Sequence, residues 1–258
     1  MTLKPMALCV IMLAVLGVGP GLPAMTRQAQ ISYRFYLTPE SPAHSPIYLR
    51  YVIENASQSD IVAGLGFHRI ATLTITVTHP DGSVTPGRPI PTDSGLTPHP
   101  EITLKPGARY EHRLLLSEWV DLSTPGVYRV SIGSNAVFRS VETNVAVPVQ
   151  RNWETVLRIS PTTEQEVRKL CAKLDAQADG FSESARTALR ELAAIRHPLT
   201  VPYLVRHARG GNDPDVAIDG LGLQLENPAA KSALEDIVRE NPRGLGGRAA
   251  SVLRRGGK

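Results

Sequence analysis

The chain has 258 residues, 42% of them apolar, with 28 Lys and Arg against 24 Asp and Glu. That is long enough for two hydrophobic cores, and the formal net charge is only +4. The charge is also spread: residues 25–150 hold ten basic and ten acidic side chains, and residues 151–258 seventeen and fourteen. No stretch joins a dense basic face to interleaved aromatics, which argues against a nucleic-acid partner.

Residues 1–24 carry Lys4 and an apolar run from Met6 to Val18, broken by Gly17, Gly19, Pro20 and Gly21 before Leu22-Pro23-Ala24. The apolar core is shorter than the roughly twenty residues needed to cross a bilayer. It reads as a secretory signal peptide cleaved after Ala24, with an uncleaved anchor as the alternative. Cleavage also removes Cys9 and leaves Cys171 alone, so the mature chain has no internal disulfide and must rely on its cores. Such cysteine usage suggests a periplasmic or secreted bacterial protein. Asn55-Ala56-Ser57 matches the glycosylation acceptor pattern, a short match that arises often by chance.

From Ile31 onward, strand signals recur at regular spacing: Ile31 to Leu37, Ile47 to Glu54, Ala71 to Thr78, Glu101 to Leu104, Tyr110 to Leu116, Val127 to Gly133 and Glu142 to Pro148. Leu73, Ile75 and Val77 alternate with threonines, which makes one face apolar and the other wettable. Turn chemistry separates the runs, notably His79-Pro80-Asp81-Gly82, Pro106-Gly107 and Pro125-Gly126. Each Pro-Gly pair offers the preset φ and the positive φ of a type II turn. Thr85 to Pro100 holds five prolines and no periodic run, so it reads as a long exposed loop.

Short strands at this density predict an antiparallel β-sandwich over residues 28–150. Tyr48-Leu49-Arg50-Tyr51-Val52-Ile53-Glu54-Asn55, Leu104-Lys105-Pro106-Gly107 and Pro125-Gly126-Val127-Tyr128-Arg129-Val130 resemble a bacterial immunoglobulin-like or fibronectin-like sandwich. The resemblance covers about half the chain. It implies that Tyr128 serves as a corner tyrosine, its hydroxyl bonding back to the backbone. It implies a fold and no chemistry.

Residues 151–161 read as a linker, and beyond them the apolar spacing changes to three and four. Thr163 and Glu166 offer a capping box; Val167, Cys171, Leu174 and Ala178 then form one stripe, which places Cys171 in a core as an inert thiol. Further stripes follow at Ala185–Ala193, Val201–Ala208, Ile218–Leu225, Ala230–Val238 and Leu245–Leu253. Prolines 198, 214, 228 and 242 stand at expected first helical positions, with Asp213, Asn227 and Asn241 as caps. Paired helices recurring at roughly thirty residues are the signature of an α-solenoid. Residues 162–258 are expected to form a HEAT-like helical domain, with Ala185–Arg209 as one repeat and Asp215–Arg239 as a second; an irregular bundle is the alternative.

Catalytic grammar is sparse. The seven histidines include no pair at helical ligand spacing, and no nucleophile elbow, phosphate-binding loop or dinucleotide fingerprint is present, so no catalytic residue, metal or cofactor is assigned. Glu111, Glu118 and Asp121 could cluster at one sandwich end, with Trp119 as a core aromatic. Arg243, Arg248, Arg254 and Arg255 give the C terminus a basic bias and are the candidate contacts to an anionic surface. The expectation is an exported, non-enzymatic protein-binding or scaffold protein of the bacterial envelope, with an unidentified protein as its partner. The alternatives are an enzyme or enzyme accessory module acting on envelope polymers, or a carbohydrate-binding module.

Overall fold

The computed structural model describes residues 31–66, 72–87 and 101–256; the leader and residues 88–100 of the Pro-rich loop lie outside the described residues. The front half runs β1 (Ile31–Leu37), β2 (Glu40–Pro42), β3 (Tyr48–Asn55), β4 (Ile61–Gly64), β5 (Leu73–Thr78), β6 (Val84–Pro86), β7 (Glu101–Leu104), β8 (Arg109–Leu115), a one-turn helix α1 (Leu116–Trp119), β9 (Gly126–Ser134), β10 (Val137–Ser140) and β11 (Asn152–Ser160). One layer has the order β2-β11-β9-β5-β6. The other is built from β1-β3-β8 and β10-β4-β7.

Those two three-stranded sheets are halves of one bent ladder. Ile61 pairs with Leu104 and Glu54 with Arg109, so residues 48–64 run antiparallel to 101–115 with a kink in both strands. Asn55 holds the kink: its amide donates to the carbonyls of Ser59 (2.8 Å) and Leu104 (2.9 Å), and its side-chain oxygen accepts from Ser57. Asn55 is buried; its place in the acceptor pattern is structural.

Period-two alternation puts Tyr33, Leu49, Tyr51 and Ile53 of one layer against Val77, Val130, Ile132, Leu157 and Ile159 of the other, giving a single sandwich core. Tyr128 is fully buried and its hydroxyl donates to the Thr124 carbonyl at 2.7 Å. That is the corner bond which the immunoglobulin-like resemblance implies.

The structure corrects three readings of this half. The expected linker is β11, an interior strand antiparallel to β9 and parallel to β2; Leu157 and Ile159 face the core while charged residues occupy the outer face. The sandwich therefore extends to Ser160. Glu142–Pro148 is a tight return rather than a strand, with Asn144 at φ +52° and only a single bridge from Ala146 to Arg139. Pro106-Gly107 fits its turn, with Gly107 at φ +73°, but Gly126 opens β9 at φ +150°, where a Cβ would collide with the Pro80 ring.

The back half runs α2 (Glu164–Ala178), α3 (Glu183–Ala194), a 3-10 turn (Pro198–Thr200) leading into α4 (Val201–Gly210), α5 (Pro214–Gly222), α6 (Pro228–Glu240) and α7 (Leu245–Gly256). Thr163 and Glu166 form the expected capping box, and Asn227 caps α6 through the Ala229 N–H at 3.0 Å. Asp213 instead pairs with Arg186 at 2.8 Å. Hairpins form between α2 and α3, α4 and α5, and α6 and α7, while α3, α5 and α7 pack side by side in a row. The expected pairing of α3 with α4 is thus shifted by one helix. Gly220 explains the close fit of this row: a Cβ there would come within 2.7 Å of the Ala193 Cβ. A second core, from Val167 to Val252, fills this half.

Candidate binding cleft beside the domain seam

The one-turn helix α1 is pinned to the start of β3. Ser117 Oγ accepts from the Ile47 N–H at 3.0 Å, and the Leu116 N–H donates to the Ile47 carbonyl at 2.7 Å. This anchoring aims Glu118 at α3. Arg190 grips its carboxylate with two bonds, Nε to Oε1 at 2.8 Å and Nη2 to Oε2 at 2.6 Å, the bidentate geometry that makes such pairs strong. Burial works against the Arg190 charge, but Glu118 outweighs it and raises the guanidinium pKa.

Further contacts extend the seam. The Tyr48 hydroxyl donates to Glu191 Oε1 at 2.5 Å, and burial together with that carboxylate pushes the phenol pKa far up. Arg196 faces Asp121 at 3.5 Å. Burial raises the Asp121 carboxyl, yet Arg196 and Ser123 outweigh it and leave the pKa below the ordinary range. The rings of His44 and His197 meet edge to face with centroids 4.8 Å apart. Burial lowers both pKa values, and the neighbouring His197 adds to the lowering at His44.

Alongside this clamp lies an open cleft of about 520 Å³ on the outer face of the β1-β3-β8 sheet, lined by Tyr36, Pro39, Tyr48, Arg50, Glu111 and Arg113 among others. The strand register creates it. Tyr36 is opposite Arg50, and Arg50 opposite Arg113, so the three form a row across three strands. The Arg50 guanidinium lies 4.7 Å from the centre of the Tyr36 ring, and that of Arg113 lies 4.2 Å from the centre of the Tyr48 ring, both within cation–π range. The Tyr48 ring is in turn anchored by Glu191, which ties the cleft wall to α3.

The residues singled out from sequence are distributed differently. Glu111 bonds Arg109 at 3.1 Å and Arg50 at 3.4 Å on the outer sheet face, Glu118 is held by Arg190, and Asp121 by Arg196, so the three carboxylates serve different arginines. Trp119 is in the sandwich core at 6% exposure. The pocket with convergent acids that the polymer-degrading alternative requires is not formed by these residues.

Arg248 is not on a solvated face. It makes a bidentate pair with buried Asp219 of α5, at 3.2 and 2.6 Å, and Arg255 lies 4.0 Å from the same carboxylate. Arg243 and Arg254 are exposed. Cys171 is fully buried, and burial lifts its pKa to about 11, which suits an unreactive thiol. Among the described residues no group of three His, Cys, Asp or Glu side chains is placed to hold a metal, and no helix is long and apolar enough to cross a membrane.

Sequence reading missed the Tyr36-Arg50-Arg113 row because it exists only through strand pairing. The available signal was the outward position of each residue in its own strand.

No protein-family model matches the chain, and no curated protein is significantly similar to it in sequence. Among solved structures it is similar to the CARDB domain of the PF1109 protein from Pyrococcus furiosus, crystallised with di-metal ions, at 7% identity and a TM-score of 0.30 over 54% of this chain and all of that one. It is similar to a PapD-like domain of human CEP192 at 10% identity and a TM-score of 0.30, covering 58% of this chain and all of that one. It is similar also to a β-glucosidase from Listeria innocua bound to isofagomine, at 12% identity and a TM-score of 0.28. That match covers 52% of this chain and spans only 16% of the length of the glucosidase. Likenesses this weak carry no argument about activity; the sandwich is established by its own strand order and corner tyrosine.

Proposed function

We propose that this chain is an exported, non-enzymatic protein-binding scaffold of the bacterial envelope, with an immunoglobulin-like front half and a HEAT-like helical back half that present the Tyr36-Tyr48-Arg50-Arg113 cleft as their docking point. The observation that carries this reading is the cleft: two tyrosines and two arginines converge there. Tyr and Arg are the residues most enriched at energetic centres of protein interfaces, and each guanidinium is already held against a ring, which lowers the entropy lost on binding. The hairpin pairs with α3, α5 and α7 in a row support the solenoid reading. The leader sequence supports export.

The test is photo-crosslinking in cells with a photoreactive residue at Tyr36, compared with one at Val156, an exposed position on the other sheet. A reproducible adduct with one protein from Tyr36 and none from Val156 is expected, on a mature chain beginning at Met25. Equal or absent adducts from both positions, on folded protein, would sink the proposal.

A further inference from the structure

We infer that the cleft receives an acidic polypeptide segment, one presenting a carboxylate to both Arg50 and Arg113; this rests on the protein-binding reading above. The outer faces of β1, β3 and β8 carry Arg34, Arg50, Arg109 and Arg113 but only Glu54 and Glu111, an excess of two positive charges. Within the cleft the imbalance is sharper. Arg50 and Arg113 stand directly opposite one another on neighbouring strands, an arrangement that is unfavourable for like charges. Glu111 is already shared between Arg50, at the long distance of 3.4 Å, and Arg109 at 3.1 Å. Arg113 has no carboxylate partner among the described residues; its contact is the Tyr48 ring. A bound carboxylate would supply the missing countercharge to both guanidiniums, whose fork of N–H donors suits it.

The surroundings select the kind of anion. Tyr36 is 41% exposed and Pro39 adds an apolar wall, so a chain with carbon between its charges is accommodated where a bare inorganic anion gains little. The site is concave, and Glu111 lines it while Glu191 holds Tyr48 beside it. A concave site with both carboxylates already engaged admits a single extended chain that brings its own charges, and not a flat anionic surface such as a membrane.

The test uses the full mature chain and the labelled peptide acetyl-Glu-Ala-Glu-Ala-Glu-amide, read by fluorescence anisotropy. The same peptide with lysines, inorganic phosphate as competitor, and phosphatidylglycerol vesicles serve as comparison arms. The acidic peptide is expected to bind, the lysine peptide not, and Arg113→Gln to weaken binding by about tenfold or more. Arg113→Lys, which keeps the charge and loses the fork, should fall between. Circular dichroism checks that each variant is folded; Arg113 is exposed on its strand, and its replacement leaves the core untouched.

Unchanged peptide affinity in Arg113→Gln overturns the inference. So does a vesicle or phosphate response with the same Arg113 dependence and equal strength. If the crosslinked partner at Tyr36 persists undiminished in Arg113→Gln, the acidic-ligand inference fails while the protein-binding reading stands.

Discussion

The two halves of this molecule build their interiors from different materials. The sandwich core holds an aromatic cluster among its aliphatic residues: Tyr33 touches Phe35, Tyr51, Phe138 and Trp153, with ring centroids 5.0 to 5.9 Å apart. The helical core is made of leucine, isoleucine, valine, Cys171 and many alanines, with no aromatic residue among its fully buried members. Sheets packed about 10 Å apart leave space that large rings fill. Helices α3 and α5 approach until Gly220 meets Ala193, so no larger residue fits at that crossing. One half is therefore vulnerable to losing atoms and the other to gaining them.

Opposite substitutions should expose this contrast. Phe138→Ala is expected to have the largest effect, destabilising the sandwich by about 4 kcal/mol, because Phe138 is 1% exposed and packed against Tyr33; the unfolding midpoint of the sandwich in urea reports it. Arg190→Ala comes next, at about 3 kcal/mol, since it strands the buried Glu118 carboxylate. It should also separate one cooperative melt into two if the seam couples the halves; a single sharp melt of unchanged midpoint would show the clamp to be dispensable. Gly220→Ala adds one methyl group and should cost about 2 kcal/mol through overpacking, with the loss confined to helical ellipticity. The same glycine-to-alanine change at an open helical position such as Gly247, where a Cβ meets nothing within 4 Å, should be neutral or stabilising.

The smallest effect concerns pH at the seam. His44 and His197 have pKa values depressed below 6.5 in the folded chain, chiefly by burial. The groups that act against this lowering are the Asp121 carboxylate and the Arg196 backbone at His44, and the Glu164 carboxylate at His197. Below 6.5 the unfolded chain takes up protons that the folded chain resists, so stability is full above pH 6.5 and falls as pH drops toward the depressed values. Protonation of His197 also removes the Nδ1 acceptor used by the Leu199 N–H at 3.2 Å. Melting temperatures at pH 7.5 and 5.5 should show a decrease, smaller in His44→Gln. An unchanged slope in that variant would assign the dependence to other groups.

How far the fold could be read in advance followed the range of the interactions concerned. Strand β1 and the capping box of α2 depend on neighbours within a few residues, and both were legible. The change of apolar period near residue 160 likewise marked the passage between two cores. β11 was misread because its charged outward residues, Glu154 and Arg158, masked the inward pair Leu157 and Ile159. Helix pairing was misread because stripe spacing defines a buried face without naming what covers it. The arginines at the C terminus show the same limit: the partner of Arg248 is Asp219, 29 residues earlier. The cleft was the least legible feature, since Tyr36, Arg50 and Arg113 become neighbours only through two strand registers.

The direct passage from β11 into α2 across Pro161, Thr162 and Thr163 has a mechanical consequence. Tension applied through the helices would reach the sandwich along the length of an interior strand, loading its ladder bonds with β9 together in shear instead of peeling them one by one. A chimera or fragment divided at residue 150 would remove that strand and bare the edge of β9, so a sandwich fragment has to carry the chain on to Ser160.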